Sequence, residues 1–157
     1  MTLDERDIAI LKVLSAEGRM SNTQLAERVG LSASPCWERV RKLEKAGIIE
    51  GYQARISLRK LAPVLTVFVT VELTDHTAAA FRTFEAHVAS LSEVTACWAL
   101  GGGFDYLMQV ITRDIEAYQG LMDRILDADV GLERYFTYVV TKAVKDGTVP
   151  LFDALLR

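Results

Sequence analysis

The chain is poor in the residues that staple, ligate or catalyse. Only two cysteines, Cys36 and Cys97, occur in 157 residues, and they stand too far apart for metal-ligand or redox spacing. Both fit as small buried side chains, and this usage suits a reducing cytoplasm. The two histidines, His76 and His87, are isolated in the sequence and are expected on the surface of a helix. No Ser-His-Asp set, carboxylate pair or metal-ligand cluster is legible, so no catalytic residue, metal or cofactor is expected. The GxxxxGK[ST] phosphate pattern is absent too. Apolar runs are strand-sized and the N-terminus lacks a signal-peptide core, so no membrane association is expected.

What is present is a sizeable apolar fraction, 50% of the residues, enough for a real core in one large domain or two small ones. Net charge is unevenly spread. Residues 1–62 hold 11 Lys/Arg against 8 Asp/Glu, and residues 63–157 hold 7 against 13. A mildly basic head on an acidic body suits binding of nucleic acid by one part and another task for the other. So small a positive charge binds DNA weakly alone, which favours a dimer that doubles the phosphate contacts.

Residues 20–47, MSNTQLAERVGLSASPCWERVRKLEKAG, carry the strongest signal. Ser21 with Gln24 makes a capping box, with Met20 and Leu25 placed as a hydrophobic staple. Leu25, Ala26 and Val29 form one apolar side, and Gly30 supplies a left-handed stop. A second helix follows from Leu31-Ser32. Ser32 or Ser34 caps it: the first choice puts Pro35 at the third helical position, the second at the favoured first position. At 100° per residue, Cys36, Val40, Leu43 and Gly47 face inward. Ser34, Trp37, Glu38, Arg41, Lys42 and Lys45 spread over the outside. This is the pattern of a helix-turn-helix whose second helix enters the DNA major groove.

On that helix, Arg41 can pair bidentately with guanine and Glu38 can accept from cytosine N4. Lys42 and Lys45 are placed for phosphates. Ser32, Ser34, Pro35 and Trp37 complete the candidate DNA-binding set. An earlier helix, capped by Asp4, faces Ile8, Leu11 and Leu14 inward and ends at Gly18. Residues 48–56 read as short strands, a wing or a connecting ribbon, and Arg59 and Lys60 are available to phosphates. The expected organisation is a DNA-binding head over residues 1–50, a connection over 51–63 and a second domain over 64–157.

From residue 64 the period changes to that of strands. Residues 64–73, 94–100, 106–111 and 135–141 read as strands. Phe81, Phe84, Val88 and Leu91, then Tyr118, Leu121, Met122 and Ile125, step at helical spacing. The order β-α-β-β-α-β is a split-βαβ sandwich, giving an α+β protein overall. Such a sheet leaves one face bare, with Phe68 and Trp98 as candidates for it, and a second copy of the chain is the simplest cover. Gly101-Gly102-Gly103-Phe104-Asp105 joins two strands. Its bare amides suit a carboxylate and Asp105 suits an ammonium, a combination fit for an amino acid zwitterion. A plain turn explains the glycines as well.

The whole chain resembles the Lrp/AsnC, or feast/famine, family of transcription regulators. The likeness is carried by residues 31–49 (LSASPCWERVRKLEKAGII), Gly51-Tyr52, Gly102-Gly103-Phe104-Asp105-Tyr106-Leu107 and Thr137-Tyr138-Val139-Val140. It implies a winged helix-turn-helix head and a ferredoxin-like RAM/ACT-like second domain that forms homodimers, often assembled into tetramers or octamers on double-stranded DNA. It also implies an amino acid effector bound between dimers, held by Gly101, Gly102, Gly103, Phe104 and Asp105 with Thr137 and Tyr138 from the last strand or from a neighbouring subunit. Two departures stand out: Gly103 where relatives are often polar or acidic, and Tyr135 where a threonine is common. They enlarge the implied pocket near the loop and fill it near the strand.

The expected function is therefore a sequence-specific regulator of amino acid metabolism or transport, responsive to an amino acid. An effector-independent architectural protein that wraps DNA is a second reading. The sirohaem decarboxylases, which resemble the family in both domains, are a third. Their chemistry needs histidine or arginine groups around a large pocket, which His76 and His87 do not provide.

Overall fold

The computed structural model describes residues 2–145 and Phe152. They form two compact units, residues 2–55 with Lys145 and Phe152, and residues 56–144. The division falls inside the expected connection. The end of the domain expected over 64–157 lies outside the described residues, apart from Lys145 and Phe152, and these two group with the head.

The first unit is trihelical. Helix α1 (Glu5–Ala16) is capped by Asp4, whose side chain accepts from the Asp7 N–H while Asp7 returns the bond to the Asp4 N–H. Its buried residues are Asp7, Ile10 and Leu11; Ile8 and Leu14 are half-buried. The helix stops at Ala16, before the expected Gly18. Helix α2 (Asn22–Val29) has the expected Ser21–Gln24 capping box, and Gly30 ends it at φ 65°. Helix α3 (Ala33–Lys45) starts at Ser32, which makes no side-chain cap bond. The reason is local: Pro35 sits at the third helical position and has no N–H to donate.

Cys36 and Leu43 of α3 are fully buried, while Val40 is half-buried. Gly47 is exposed instead of facing the core. At φ 69° it closes α3, with its N–H on Glu44 O and the Ile48 N–H on Leu43 O. Phe152 packs on the same core as Ile10, Leu25 and Leu43. The short strands expected over residues 48–56 are absent; residues 50–57 adopt no helix or strand. A strand needs a partner, and none among the described residues pairs with this segment.

The second unit holds a four-stranded antiparallel sheet in the order β2-β3-β1-β4. Its elements are β1 (Leu65–Leu73), α4 (Ala78–Ala89), β2 (Val94–Ala99), β3 (Tyr106–Thr112), α5 (Ile115–Asp127) and β4 (Leu132–Val139). Val67, Val69, Val71 and Leu73 of β1, with Met108 and Val110 of β3, are buried with Phe84, Leu121, Met122 and Ile125 of the two helices. Strand β4 begins three residues before the expected Tyr135, directly after Gly131 at φ 79°. On the other face, register places Phe68 beside Tyr138, Thr70 beside Phe136 and Leu107 beside Trp98. Trp98, Phe136 and Tyr138 are exposed there. The bare apolar face read from the sequence is present.

Candidate nucleic-acid interface and effector site

The head is fixed by ionic contacts between its helices. Arg6 Nη1 donates to Val29 O at 2.6 Å and so satisfies the end of α2. Arg39, on α3, reaches back to α1 and stands 2.7 Å from both Asp4 and Asp7. The bond from the Asp7 N–H, with the Arg39 guanidinium beside it, holds the Asp4 carboxyl below its ordinary range. Asn22, at the start of α2, donates to Ala33 O at 2.7 Å and sets the turn between α2 and α3.

This framework leaves one side of α3 free. Ser32, Ser34, Pro35, Trp37, Glu38, Arg41, Lys42 and Lys45 are all exposed. Trp37, Glu38, Arg41, Lys42, Glu44 and Lys45 line a single open groove. Half of the Trp37 surface is exposed, a large apolar area in water. The Arg41 guanidinium lies over its ring, 4.8 Å from the centroid. Tyr52, expected in a short strand or wing and part of the family likeness, donates from its hydroxyl to Glu44 at 3.0 Å. Burial first, and this carboxylate second, push its phenol up.

In the second unit the loop between β2 and β3 is closed by the Leu100 N–H on Asp105 O (2.8 Å) and tied to β1 by the Asp105 N–H on Val71 O (2.9 Å). A Cβ added at Gly101, Gly102 or Gly103 would meet no described atom within 4 Å, and of the three Gly102 has a positive φ, 156°. Phe104 stacks edge-on against Phe136, with centroids 5.7 Å apart. The Asp105 carboxylate accepts the Leu73 N–H at 2.7 Å and meets His76 Nε2 at 3.0 and 3.1 Å.

The histidines differ from expectation. His76 lies in the bend before α4, not on a helix, because Thr77 caps α4 one residue later. It joins the candidate site through Asp105. His87 is on α4 but half-buried, with its Nε2 atom buried and without a hydrogen-bond partner among the described residues. Cys97, expected inside, is exposed on the edge strand β2, whereas Cys36 is buried as expected.

Within one protomer, Thr137 and Tyr138 do not converge on the loop together. Neighbours on a strand point to opposite faces. The Thr137 hydroxyl bonds the Tyr118 hydroxyl on the helix side, while Tyr138 sits opposite Phe68 on the bare side. Tyr135 packs against the helix-side core. The residues brought to the loop are instead Phe136, Leu73 and His76. Alternation puts Phe136 on the same face of β4 as Tyr138, but its place beside the loop depends on register; His76 carried no sequence signal. Among the described residues there is no group of three His, Cys, Asp or Glu that could hold a metal.

Comparison with known proteins agrees with this architecture. Residues 3–50 match a family described as winged helix-turn-helix DNA-binding, and residues 66–150 match the Lrp/AsnC ligand binding domain. The transcriptional regulatory protein DoeX of Halomonas elongata is 53% identical over 145 residues, 92% of each chain. The leucine-responsive regulatory protein of Escherichia coli is 41% identical over 143 residues, 91% of this chain and 87% of its own. A transcriptional regulator of Neisseria meningitidis, solved in complex with L-Met, superposes with a TM-score of 0.92 at 36% identity, covering 98% of this chain and 99% of its own. This chain belongs to the Lrp/AsnC family and is a DNA-binding transcriptional regulator.

Proposed function

We propose that this regulator reads a specific DNA sequence through α3 and changes DNA affinity or assembly when an amino acid binds its second unit, so controlling amino acid metabolism or transport. The observation that carries the DNA half is the exposed side of α3, where Ser32, Ser34, Pro35, Trp37, Glu38 and Arg41 lead toward the bases and Lys42 and Lys45 toward phosphates. Support for the effector half comes from the open loop Gly101–Gly103 with Phe104 and Asp105 beside it. Thr137 enters this reading only through the helix side, and Tyr138 through the bare face. The Neisseria regulator's complex with L-Met supports an amino acid as the ligand class.

The bare sheet face supports a homodimer, with Phe68, Trp98, Leu107, Phe136 and Tyr138 facing a second copy and tetramers or octamers built from such pairs. No helix among the described residues is long and apolar enough to cross a membrane. A cytoplasmic, non-enzymatic protein fits this role. One observation favours the architectural alternative: Asp105 already holds Leu73 and His76, so an ammonium must displace a resident partner.

Selection from random-sequence duplexes tests both halves. A two-fold symmetric motif is expected, and at least one amino acid should shift binding to it. No enrichment would refute sequence-specific reading. Enrichment with no amino acid effect would leave the architectural reading.

A further inference from the structure

Arg41 has two carboxylates within one helical turn, Glu38 and Glu44, at a spacing where ion pairs form on a helix surface. Among the described residues it pairs with neither; its guanidinium lies over the Trp37 ring. Glu44 is held elsewhere, by the Tyr52 hydroxyl at 3.0 Å. The distinction is chemical. An ion pair consumes in-plane N–H donors, the same donors that form a bidentate contact with O6 and N7 of guanine. Contact with an aromatic face uses the guanidinium's own face and leaves those donors outward.

We propose that Trp37 and Tyr52 are positioning residues for Arg41: Trp37 holds the guanidinium in place without using its donors, and Tyr52 keeps Glu44 from capturing it. The inference rests on Arg41 reading a base. Trp37 and Tyr52 both border the groove that also contains Arg41 and Glu44, so the four side chains form one continuous cluster. Tyr52 comes from the segment immediately after the helical head, outside any helix or strand, and reaches the recognition surface through Glu44.

The test measures binding of the full chain to a duplex enriched by the wild-type protein and to a shuffled duplex, across several salt concentrations. Arg41→Ala comes first and should lower the ratio of specific to shuffled affinity roughly 5- to 150-fold. Trp37→Ala should lower it roughly two- to fivefold, with Trp37→Phe retaining most of it. Tyr52→Phe should lower it as well, and adding Glu44→Gln to Tyr52→Phe should restore it. The salt dependence should stay unchanged in the Trp37 and Tyr52 variants, since no phosphate contact is removed. An unchanged ratio in Arg41→Ala would refute the base-reading role and this inference with it. A reduced ratio in Arg41→Ala, with Trp37→Ala and Trp37→Phe both unchanged or no rescue by Glu44→Gln, would overturn the positioning role alone. A merely structural defect at Tyr52 would not be rescued by a change at Glu44.

Discussion

Asp7 of α1 and Arg39 of α3 stand 2.7 Å apart across 32 residues of sequence, and the Asp7 side chain is almost wholly buried. Removing Arg39 takes the countercharge from a buried carboxylate and leaves it the Asp4 N–H. Arg39→Ala should destabilise the head by about 3 kcal/mol, read as faster hydrogen exchange of α1 and α3 amides. Exchange unchanged from wild type would show that the pair does not hold the helices together.

Acid should loosen the same joint. The Asp4 carboxyl is held low by the Asp7 N–H and by Arg39, so it titrates more easily in the unfolded chain than in the folded one. A lowered folded value contributes stability that is present above the unfolded value, near the 3.8 of an ordinary Asp, and lost as pH falls below it. Thermal melts between pH 6 and pH 3 should show a shallower decline for Asp4→Asn than for wild type. Parallel curves would contradict the assignment.

Gly47 ends α3 at φ 69° with open space around its missing side chain. Gly47→Ala therefore introduces backbone strain and no clash, and should cost about 1 kcal/mol. Urea unfolding of the two proteins measures this difference. A neutral substitution would mean the turn relaxes without cost.

The bare sheet face makes its own demand. Phe68 lies at its centre beside Tyr138, so Phe68→Glu places a charge into the surface assigned to the second copy. In a two-fold interface the substitution occurs twice, and each lost apolar side chain is worth about 1.5–3 kcal/mol. Light scattering should show a marked shift toward the 17.4 kDa protomer. An unchanged mass would place the interface elsewhere.

His76 occupies the Asp105 carboxylate to which the proposed site assigns an ammonium. His76→Ala should raise amino acid affinity roughly fivefold, the worth of about 1 kcal/mol for one hydrogen bond. Calorimetric titration reads the change directly. Unchanged or weaker binding would separate the ammonium site from Asp105.

The sequence showed where periodicity and caps are local. Ser21–Gln24, Gly30 and the buried face of α5 (Tyr118, Leu121, Met122 and Ile125) were all legible because each signal lies within one or two turns. On α1 the inward places of Leu11 and Leu14 were legible, but Ile10 takes the core place expected of Ile8, and Asp7 is buried against Arg39, a partner no local pattern reveals. Strand β4 starts earlier than its apolar run because Arg134, in its charged opening, pairs across the sheet with Glu72 at 3.0 Å. In the candidate effector site the glycine loop and Asp105 were visible, but His76 and Phe136 were not. Their places depend on a bend before α4 and on strand register, both set by tertiary pairing.

The most direct measurement is a thermal-shift screen of the full chain and of Asp105→Asn against the twenty amino acids. A ligand that binds only the folded state stabilises it by about 2.7 kcal/mol at 100 times its dissociation constant. At least one amino acid should raise the wild-type midpoint, and Asp105→Asn should lose that rise while still binding DNA. Silence from every amino acid, or a rise fully retained in Asp105→Asn, would contradict an effector site built on this loop.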